Sequence, residues 1–369
     1  MSVLRSLFGG GAPRSVEIES LGVGFDVPRG KTILEAALAA GIAFPHDCTV
    51  GTCGTCKARL TRGRVDALSE FAYTLSSEEL AANFILPCQS VPRDALVRID
   101  VEVPIAVPAR QQFSAQIVGT MQLTHDILQV RMQLDLPIHH VAGQYANLSA
   151  PGMARERSYS FAEAPEVAGC STVTFFVRKV PGGEFTEALF AGRLTGQTIR
   201  VDGPHGNFHL RESTSRIVCI AGGSGLAPIL SMLADAVRRS AARPCVLLFG
   251  ARTEADLYAL DRIESIRRQW PAPFAFTPVL SHEPDGSAWG GTRGLVTEQI
   301  AGAVAGADPT GCQAYLCGPP AMIDAGVAQL TQRGVALGSI FYDKFTDASH
   351  VVTATSRTGS SSPDQPVPV

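Results

Sequence analysis

The pattern of apolar and polar positions divides the chain into three segments and a tail. Residues 15–103 begin with the alternating stretch VEIESLGVGFDV, continue with the helix-like KTILEAALAAG and close with the strand-like LVRIDVEV. Alternation with a period of two is typical of half-buried strands, and apolar spacings of three and four are typical of helices. The mixture predicts a small α+β domain. A proline-containing linker follows it over residues 104–110.

The next two segments have different patterns. Residues 111–212 contain short strand-like runs separated by Gly and Pro, with a single helix-like piece, FTEALFAG. This spacing predicts an antiparallel barrel or sandwich. Strand-like and helix-like runs alternate over residues 213–347, which predicts βαβ units around a parallel sheet. Residues 348–369 are rich in Ser, Thr and Pro, and we expect a disordered tail there.

Composition narrows the class of protein. The chain has 369 residues, of which 45% are apolar and 18% charged, with a formal net charge of −3. This is an ordinary globular balance without the basic patch that nucleic-acid binding requires. No stretch approaches the roughly 18 consecutive apolar residues that span a bilayer, and the N-terminal apolar stretch is too short for a signal peptide. We expect a soluble, cytoplasmic protein that binds neither nucleic acid nor membrane.

Four of the nine cysteines have a distinctive spacing. Cys48, Cys53 and Cys56 form the pattern C-x4-C-x2-C, and Cys88 follows in FILPCQS. This is the spacing of plant-type [2Fe–2S] centres. An odd cysteine count without a secretion signal also disfavours a disulfide framework. The glycines within the loop would allow it to turn tightly around a cluster.

Other occupants of this cysteine loop fit less well. Structural zinc sites use two paired hooks of the C-x2-4-C type, and Cys88 has no neighbouring Cys or His. A Rieske centre needs two histidine ligands, and His46 is the only one nearby. The spacing therefore favours a [2Fe–2S] cluster over a zinc ion or a loop without metal.

Two motifs in the middle segment could bind a phosphate-containing cofactor. The stretch RERSYSFAEAP contains Arg157, and an arginine is a natural partner for a pyrophosphate. The stretch VPGGEFTEAL places two glycines before a helix, whose N-terminus offers free N–H groups to a phosphate. Each motif is weak alone, because an arginine beside a tyrosine on a strand edge is commonly a surface feature.

The third segment has a glycine turn between a strand and a helix, in IVCIAGGSGLAPILSML. It does not match G-x-G-x-x-G, but a turn of this kind at the carboxyl end of a strand is a pyrophosphate site. Further on, AYLCGPPAM ends a strand at Cys317 and starts a helix with prolines. Arg252 is the one cation after the second strand, beside Glu254 and Asp256, and this acidic setting favours NADH over NADPH.

Together these motifs resemble known families. The first segment resembles a plant-type ferredoxin domain with the β-grasp fold, and the rest resembles the FAD and NAD module of the ferredoxin–NADP⁺ reductase superfamily. That resemblance implies a six-stranded antiparallel FAD-binding β-barrel and an α/β nucleotide-binding domain. The order of the three domains resembles the reductase components of multicomponent bacterial oxygenases, especially the benzoate dioxygenase reductase type, which serves Rieske-type ring-hydroxylating enzymes.

The resemblance also implies roles for individual residues. It gives the cluster four ligands, Cys48, Cys53, Cys56 and Cys88. For FAD it implies Arg157 on the pyrophosphate, Tyr159 on the isoalloxazine ring, Ser160 near N5, Phe345 on the flavin face, and further contacts from Val177, Gly182, Gly183 and Thr186. For NADH it implies Gly222, Gly223, Ser224, Gly225, Arg252, Cys317, Gly318 and Pro319. Ser160 and Cys317 are the catalytic candidates, at the place where hydride passes to the flavin.

The function that follows is electron transfer from NADH to FAD, then to the [2Fe–2S] cluster, and on to the terminal oxygenase of an aromatic-compound oxygenase. Nicotinamide gives two electrons at once, whereas an oxygenase iron centre accepts them singly, so a flavin and a one-electron carrier are both needed. A reductase for a di-iron monooxygenase or for a deoxysugar dehydratase shares this domain order. A passive electron carrier and a zinc-dependent scaffold are the alternatives from other classes.

Overall fold

The structure is a computed structural model that describes residues 14–42, 44–46, 48–52, 54–101, 108–306 and 311–345. Three predicted features fall outside these residues. They are Cys53, positions 104–107 of the linker, and the tail at 348–369.

The first segment forms a mixed five-stranded sheet with the strand order β2-β1-β7-β3-β5. Its elements are β1 (Arg14–Ile18), β2 (Val23–Val27), α1 (Ile33–Ala39), β3 (Ala58–Arg62), β4 (Val65–Ala67), α2 (Ser77–Ala81), β5 (Phe84–Ile85), β6 (Ser90–Pro92) and β7 (Leu96–Val101). Strands β1 and β7 pair in parallel, β1 and β2 pair antiparallel, and β4 and β6 form a separate ribbon. We call this unit the ferredoxin domain.

Local sequence explains why the helix of this domain starts where it does. The Thr32 hydroxyl accepts a hydrogen bond from the Glu35 N–H at 3.1 Å, and the Glu35 carboxylate accepts one from the Thr32 N–H at 2.9 Å. This capping box satisfies two backbone donors that the first turn leaves without a partner. The helix α1 then buries Ile33, Leu34 and Ala37 against the sheet.

The second segment forms a six-stranded antiparallel sheet with the order β11-β10-β13-β8-β9-β12. Its elements are β8 (Gln111–Gln122), β9 (Ile127–Ile138), β10 (Tyr145–Ser149), β11 (Arg157–Ser160), β12 (Cys170–Arg178), α3 (Glu184–Phe190) and β13 (Thr198–His205). An antiparallel bridge between Phe161 and Phe175 joins the two edges of the sheet. The sheet therefore curls into the predicted barrel, which we call the FAD domain.

The third segment forms a six-stranded parallel sheet with the order β17-β16-β15-β14-β18-β19. Its elements are β14 (Arg216–Gly222), α4 (Leu226–Arg238), β15 (Cys245–Ala251), α5 (Leu260–Gln269), β16 (Phe274–Leu280), β17 (Thr292–Arg293), α6 (Ile300–Val304), β18 (Cys312–Gly318), α7 (Pro320–Gln332) and β19 (Ile340–Lys344). The order reverses at β14, between β15 and β18. Ligands of open α/β sheets bind beyond the strand ends at such a point. We call this unit the NAD domain.

Strand β14 is covered on both faces. Ile217 and Cys219 pack into a core cluster with α4 and α5, whereas Val218 and Ile220 pack into a second cluster with α6 and α7. Parallel sheets with helices on both faces are buried in this way, and their strands read as continuous apolar runs. The predicted α/β architecture around a parallel sheet is confirmed.

The FAD and NAD domains share one hydrophobic core. Ile127, Ala162 and Phe176 of the barrel lie in the same cluster as the buried face of α4. Polar contacts support this packing, since the Ser231 hydroxyl of α4 donates to the Glu163 carbonyl oxygen at 2.7 Å. The two domains are therefore joined by apolar packing as well as by the chain between them.

The described helices are short. The longest, α4 and α7, have 13 residues each, whereas a membrane span needs about 20 apolar residues. Among the residues that the structure describes, no helix is both long and apolar enough to cross a bilayer.

Candidate redox-cofactor sites

The cysteine loop lies between α1 and β3, and its backbone requires glycine at two positions. Gly51 and Gly54 have φ angles of +80° and +72°, in the left-handed region that favours glycine. A Cβ at Gly51 would also lie 2.7 Å from the Cγ atom of Gln89. The loop therefore turns tightly where the sequence predicted it to turn.

Side chains from outside the loop hold it in place. The Thr74 hydroxyl donates to the Gly51 carbonyl oxygen at 2.6 Å, and the Gln89 amide donates to the Thr49 carbonyl oxygen at 2.7 Å. Inside the loop, the Thr52 N–H donates to the sulfur of Cys48 at 3.4 Å. Backbone N–H groups directed at a ligand sulfur are one means by which a protein adjusts a cluster's reduction potential.

Three of the four predicted ligand cysteines converge. Cys56 and Cys88 are buried and Cys48 is half-buried. Hydrogen bonds to the sulfurs of Cys48 and Cys56 raise the pKa of the Cys88 thiol, and the hydrogen bond from Cys88 lowers the pKa of the Cys56 thiol. Converging sulfurs with little solvent are a soft donor set that suits an iron–sulfur cluster. The residues present therefore fit the group, and the fourth cysteine, Cys53, is not among the described residues.

The R-S-Y-S stretch forms strand β11 and contacts the first turn of α3 in the same barrel. The Tyr159 ring contacts the Phe185 ring with a centroid distance of 5.5 Å, and Ser160 is buried. Burial raises the pKa of the Tyr159 hydroxyl, which therefore stays protonated at neutral pH. Arg157 is half-buried, with its guanidinium donating to the Glu156 carbonyl oxygen at 2.9 Å.

The turn before α3 is shaped by a threonine hydroxyl. Thr186 Oγ1 accepts from the Val180 N–H at 3.1 Å, and a Cβ at Gly183 would lie 2.7 Å from this oxygen. Gly182 has a φ of +72°. The hydroxyl of Thr186 thus forms hydrogen bonds within the turn itself. The side chain of Val177 is fully buried in the barrel core, which leaves its backbone as the part that could face a cofactor.

The two motifs of the NAD domain meet at adjacent strand ends. Ala221 of β14 pairs with Cys317 of β18, so the two following turns lie side by side. A Cβ at Gly225 would collide with the Cys317 carbonyl oxygen, and one at Gly222 would lie 2.6 Å from the Met322 sulfur. Gly318 has a φ of +148°. The glycines therefore permit a close approach of two backbone turns that are far apart in the sequence.

Cys317 and Phe345 lie beside this junction. Cys317 is fully buried, and burial raises the pKa of its thiol. The Phe345 N–H donates to the Gly318 carbonyl oxygen at 2.9 Å, and the Phe345 ring packs against the cluster that contains Cys317. The structure thus brings Phe345 next to the turn of Cys317, Gly318 and Pro319, which we call the C-G-P turn.

Tyr258 is a residue of this region that the sequence patterns do not indicate. Its hydroxyl donates to the Gly223 carbonyl oxygen at 2.8 Å, and its ring stands edge-on to Phe176 and Phe249. This hydrogen bond helps to hold the turn of Gly222–Gly225 in place. A single tyrosine in a loop carries no spacing signal that could have revealed it.

A cleft between the FAD and NAD domains opens over the glycine turn. Its lining includes Gly222, Gly223, Arg252, Asp256, Pro319 and Met322 from the NAD domain, and Thr124, His125, Asp126 and Arg178 from the barrel. Asp256 lies 3.0 Å from His125 Nδ1 and also accepts from the Thr253 N–H at 3.0 Å. The Asp256 carboxylate therefore already has two polar partners where it lines the cleft.

Three family models match the chain, one for each domain. The 2Fe-2S iron-sulfur cluster binding domain matches residues 16–93, the oxidoreductase FAD-binding domain matches residues 114–210, and the oxidoreductase NAD-binding domain matches residues 219–327. Fold and matches define an oxidoreductase that uses a [2Fe–2S] cluster, FAD and NAD.

Relatives over the full length narrow this class. The xylene/toluene monooxygenase electron transfer component XylA of Pseudomonas putida is 43% identical, over 90% of this chain and 93% of the relative. The phenol 2-monooxygenase reductase component DmpP of Pseudomonas sp. strain CF600 is 33% identical, over 93% of this chain and 97% of the relative. The crystal structure of the Amycolatopsis cytochrome P450 reductase GcoB is 34% identical, with a TM-score of 0.67 over 91% of this chain and 99% of that one. The chain belongs to the family of reductase, or electron-transfer, components of oxygenase systems.

The junction of the two turns yields a prediction. Gly225→Ala places a methyl group against the Cys317 carbonyl oxygen, and overpacking of this kind costs about 1–3 kcal/mol. We expect a lower free energy of unfolding in denaturant and a raised KM for NADH. The control is Gly302→Ala in α6, where nothing lies within 4 Å of the added Cβ. Equal stability and KM in the two variants would show that the close approach is not a constraint.

Proposed function

We propose that the chain takes electrons from NADH and delivers them singly to a terminal oxygenase. The observation that carries the proposal is the cleft between the FAD and NAD domains, where the glycine turn, the C-G-P turn and the barrel meet. When bound, FAD accepts hydride and releases single electrons, and a [2Fe–2S] cluster carries one electron at a time. The residues of the chain bind these groups, orient them and exclude water.

In the FAD domain, we assign the pyrophosphate to Arg157 and to the turn of Gly182, Gly183 and Thr186. The proximity of Tyr159 to Phe185, at the start of α3, supports a single site for these two motifs. Tyr159 would pack against the isoalloxazine ring when FAD is bound, and the buried Ser160 would hold its hydroxyl near the flavin N5. Val177 contributes through its backbone, because its side chain is in the core.

In the NAD domain, we assign the dinucleotide pyrophosphate to the turn of Gly222, Gly223, Ser224 and Gly225 at the N-terminus of α4, where free N–H groups and the helix dipole favour an anion. Arg252, Gly318 and Pro319 complete the site. Cys317 would lie next to the nicotinamide when NADH is bound, and burial raises the pKa of its thiol, so the thiol is neutral. Phe345, which packs beside the turn of Gly318, would cover one face of the flavin ring when FAD is bound.

In the ferredoxin domain, we assign Cys48, Cys53, Cys56 and Cys88 as the cluster ligands. The exposed side of their loop faces solvent at Val50, which is 63% exposed. This side is the exit for electrons towards the partner.

The kind of terminal partner is the finer part of the proposal. The 43% identical relative serves a xylene/toluene monooxygenase, and this favours a monooxygenase acting on aromatic compounds as the partner here. The Rieske-type dioxygenase that the sequence resemblance favoured is the second candidate, supported by the 2-halobenzoate 1,2-dioxygenase electron transfer component of Burkholderia cepacia at 33% identity. Adding purified chain and NADH to each terminal enzyme, and measuring hydroxylated product, distinguishes the two.

The division of labour between flavin and cluster is testable with Cys56→Ser. Loss of a ligand sulfur should abolish electron transfer to a one-electron acceptor such as cytochrome c. NADH should still bleach the flavin at the wild-type rate, because Cys56 lies in a different domain from the cleft. The matched control is Cys170→Ala, which removes another buried thiol from the barrel. Loss of flavin bleaching in a folded Cys56→Ser protein would contradict the proposal.

The preference for NADH is supported by the charges beside Arg252. The Glu283 carboxylate accepts a hydrogen bond from the Glu254 N–H at 2.7 Å, and this bond lowers the pKa of Glu283, so the group is ionised at neutral pH. This negative charge would repel the 2′-phosphate of NADPH, whereas it could accept a hydrogen bond from the ribose 2′-hydroxyl of NADH.

We therefore expect kcat/KM for NADH to exceed that for NADPH by at least about tenfold. Glu283→Gln should lower the ratio of kcat/KM for NADH to kcat/KM for NADPH, because it removes the negative charge and keeps the shape of the side chain. Glu264→Gln, an exposed change on α5, serves as the control. Equal kcat/KM for both nucleotides in the wild-type protein would refute the preference.

A further inference from the structure

A buried carboxylate joins the ferredoxin domain to the NAD domain. Glu79, on α2, is 3% exposed. Its oxygens accept hydrogen bonds from the Lys57 ammonium, the Tyr342 hydroxyl and the Ser76 N–H, the last at 2.9 Å. Lys57 and Ser76 belong to the ferredoxin domain and Tyr342 belongs to β19 of the NAD domain. One side chain therefore bridges two domains that are distant in the sequence.

Two lysine side chains contact the ring of Tyr342. The Lys57 and Lys344 ammonium groups lie 5.0 Å and 5.5 Å from the centroid of the Tyr342 ring, within the range of cation–π attraction. Lys344 also pairs with Asp324 of α7 at 2.8 Å. Burial, together with the neighbouring Glu79, raises the pKa of Tyr342, so its hydroxyl keeps the proton that it donates to Glu79.

The two ends of this contact adjoin redox sites. Lys57 directly follows Cys56, one of the assigned cluster ligands. The next residue after Tyr342, Asp343, pairs with Cys317 of the neighbouring strand β18. Phe345 lies two residues beyond Asp343 in the sequence. The contact thus connects the cluster loop with the strand that borders the nicotinamide and flavin site.

We propose that Lys57, Glu79 and Tyr342 are positioning residues for electron transfer from the flavin to the cluster. The inference rests on the proposed function. The step moves one electron from reduced FAD to the oxidised cluster, and no bond forms or breaks between them. Its rate falls steeply with the distance between the two groups, so the docking of the ferredoxin domain sets the rate.

Docking of this kind needs a specific contact. Interfaces between domains of one chain are commonly polar, and relative motion is the default unless something fixes them. When the domains separate, Glu79 keeps Lys57 and Ser76 as partners, and the half-buried Tyr342 hydroxyl exchanges the charged Glu79 carboxylate for water. The hydrogen bond therefore favours the docked arrangement over the separated one.

The test is Tyr342→Phe in the full holoprotein, with Tyr73→Phe as the matched control because Tyr73 is an exposed tyrosine of the ferredoxin domain. Anaerobic stopped-flow mixing with NADH follows flavin bleaching first and cluster reduction second. We expect an unchanged rate of flavin bleaching and an at least fivefold slower reduction of the cluster in Tyr342→Phe. The control should match the wild type in both steps.

A second readout does not depend on electron transfer. Amide hydrogen exchange, measured on oxidised protein, should show reduced protection in α2 and in α7, which contact each other across the interface. Glu79→Gln, which alters the other partner of the hydrogen bond, should also reduce protection in α2 and α7 and slow cluster reduction. Agreement between the two variants shows that the effect comes from the contact and not from one substitution alone. Unchanged hydrogen-exchange protection in Tyr342→Phe would overturn the proposal. An unchanged rate of cluster reduction despite lost protection would also overturn it, and so would flavin bleaching that slows as much as cluster reduction.

These outcomes are separable from failure of the proposed function. If the wild-type protein bleaches its flavin with NADH but never reduces its cluster, the electron route itself is wrong. If the wild type reduces its cluster and Tyr342→Phe does so at the same rate, the route stands and the positioning role of this contact is wrong.

Discussion

The junction at the centre of the parallel sheet depends on the close approach of two backbone turns, at the carboxyl ends of β14 and β18. A side chain at Gly225 would occupy the place of the Cys317 carbonyl oxygen. Because glycine leaves that space free, segments about ninety residues apart form one surface, which the Tyr258 hydroxyl supports through a carbonyl oxygen of the glycine turn. The position of Phe345 follows from the same junction, because its N–H donates to the carbonyl oxygen of Gly318, the last residue of β18.

The three domains are joined in two different ways, and the difference suits their tasks. The FAD and NAD domains share an apolar core that contains Phe176 and the buried face of α4, and such a core resists displacement. Hydride transfer needs this fixed geometry. The ferredoxin domain meets the NAD domain through the polar contact at Glu79, which can form and break at a lower cost. A single electron can cross a gap, so this junction needs proximity rather than atomic contact between cofactors.

Much of the architecture could be predicted, because it follows from local patterns. Periodicity separated the α+β, antiparallel and parallel segments, and the spacing of the cysteines indicated the cluster. The rest depends on tertiary contacts. Glu79 and Tyr342 are 263 residues apart, and neither belongs to a motif. Thr186 was expected at a phosphate, but its hydroxyl also holds its own turn, and Asp256 pairs with His125 of another domain. Side-chain partners of this kind appear only once the domains are packed.

The central claim is that this one chain carries electrons from NADH through the flavin to the cluster. Anaerobic titration of the wild-type holoprotein with NADH, followed by optical absorption and by electron paramagnetic resonance at low temperature, tests it most directly. The account predicts that the flavin bands bleach and that the signal of a reduced [2Fe–2S] cluster appears, with full reduction at about one and a half equivalents of NADH because the two groups together take three electrons. Bleached flavin without any cluster signal, at any amount of NADH, would contradict it.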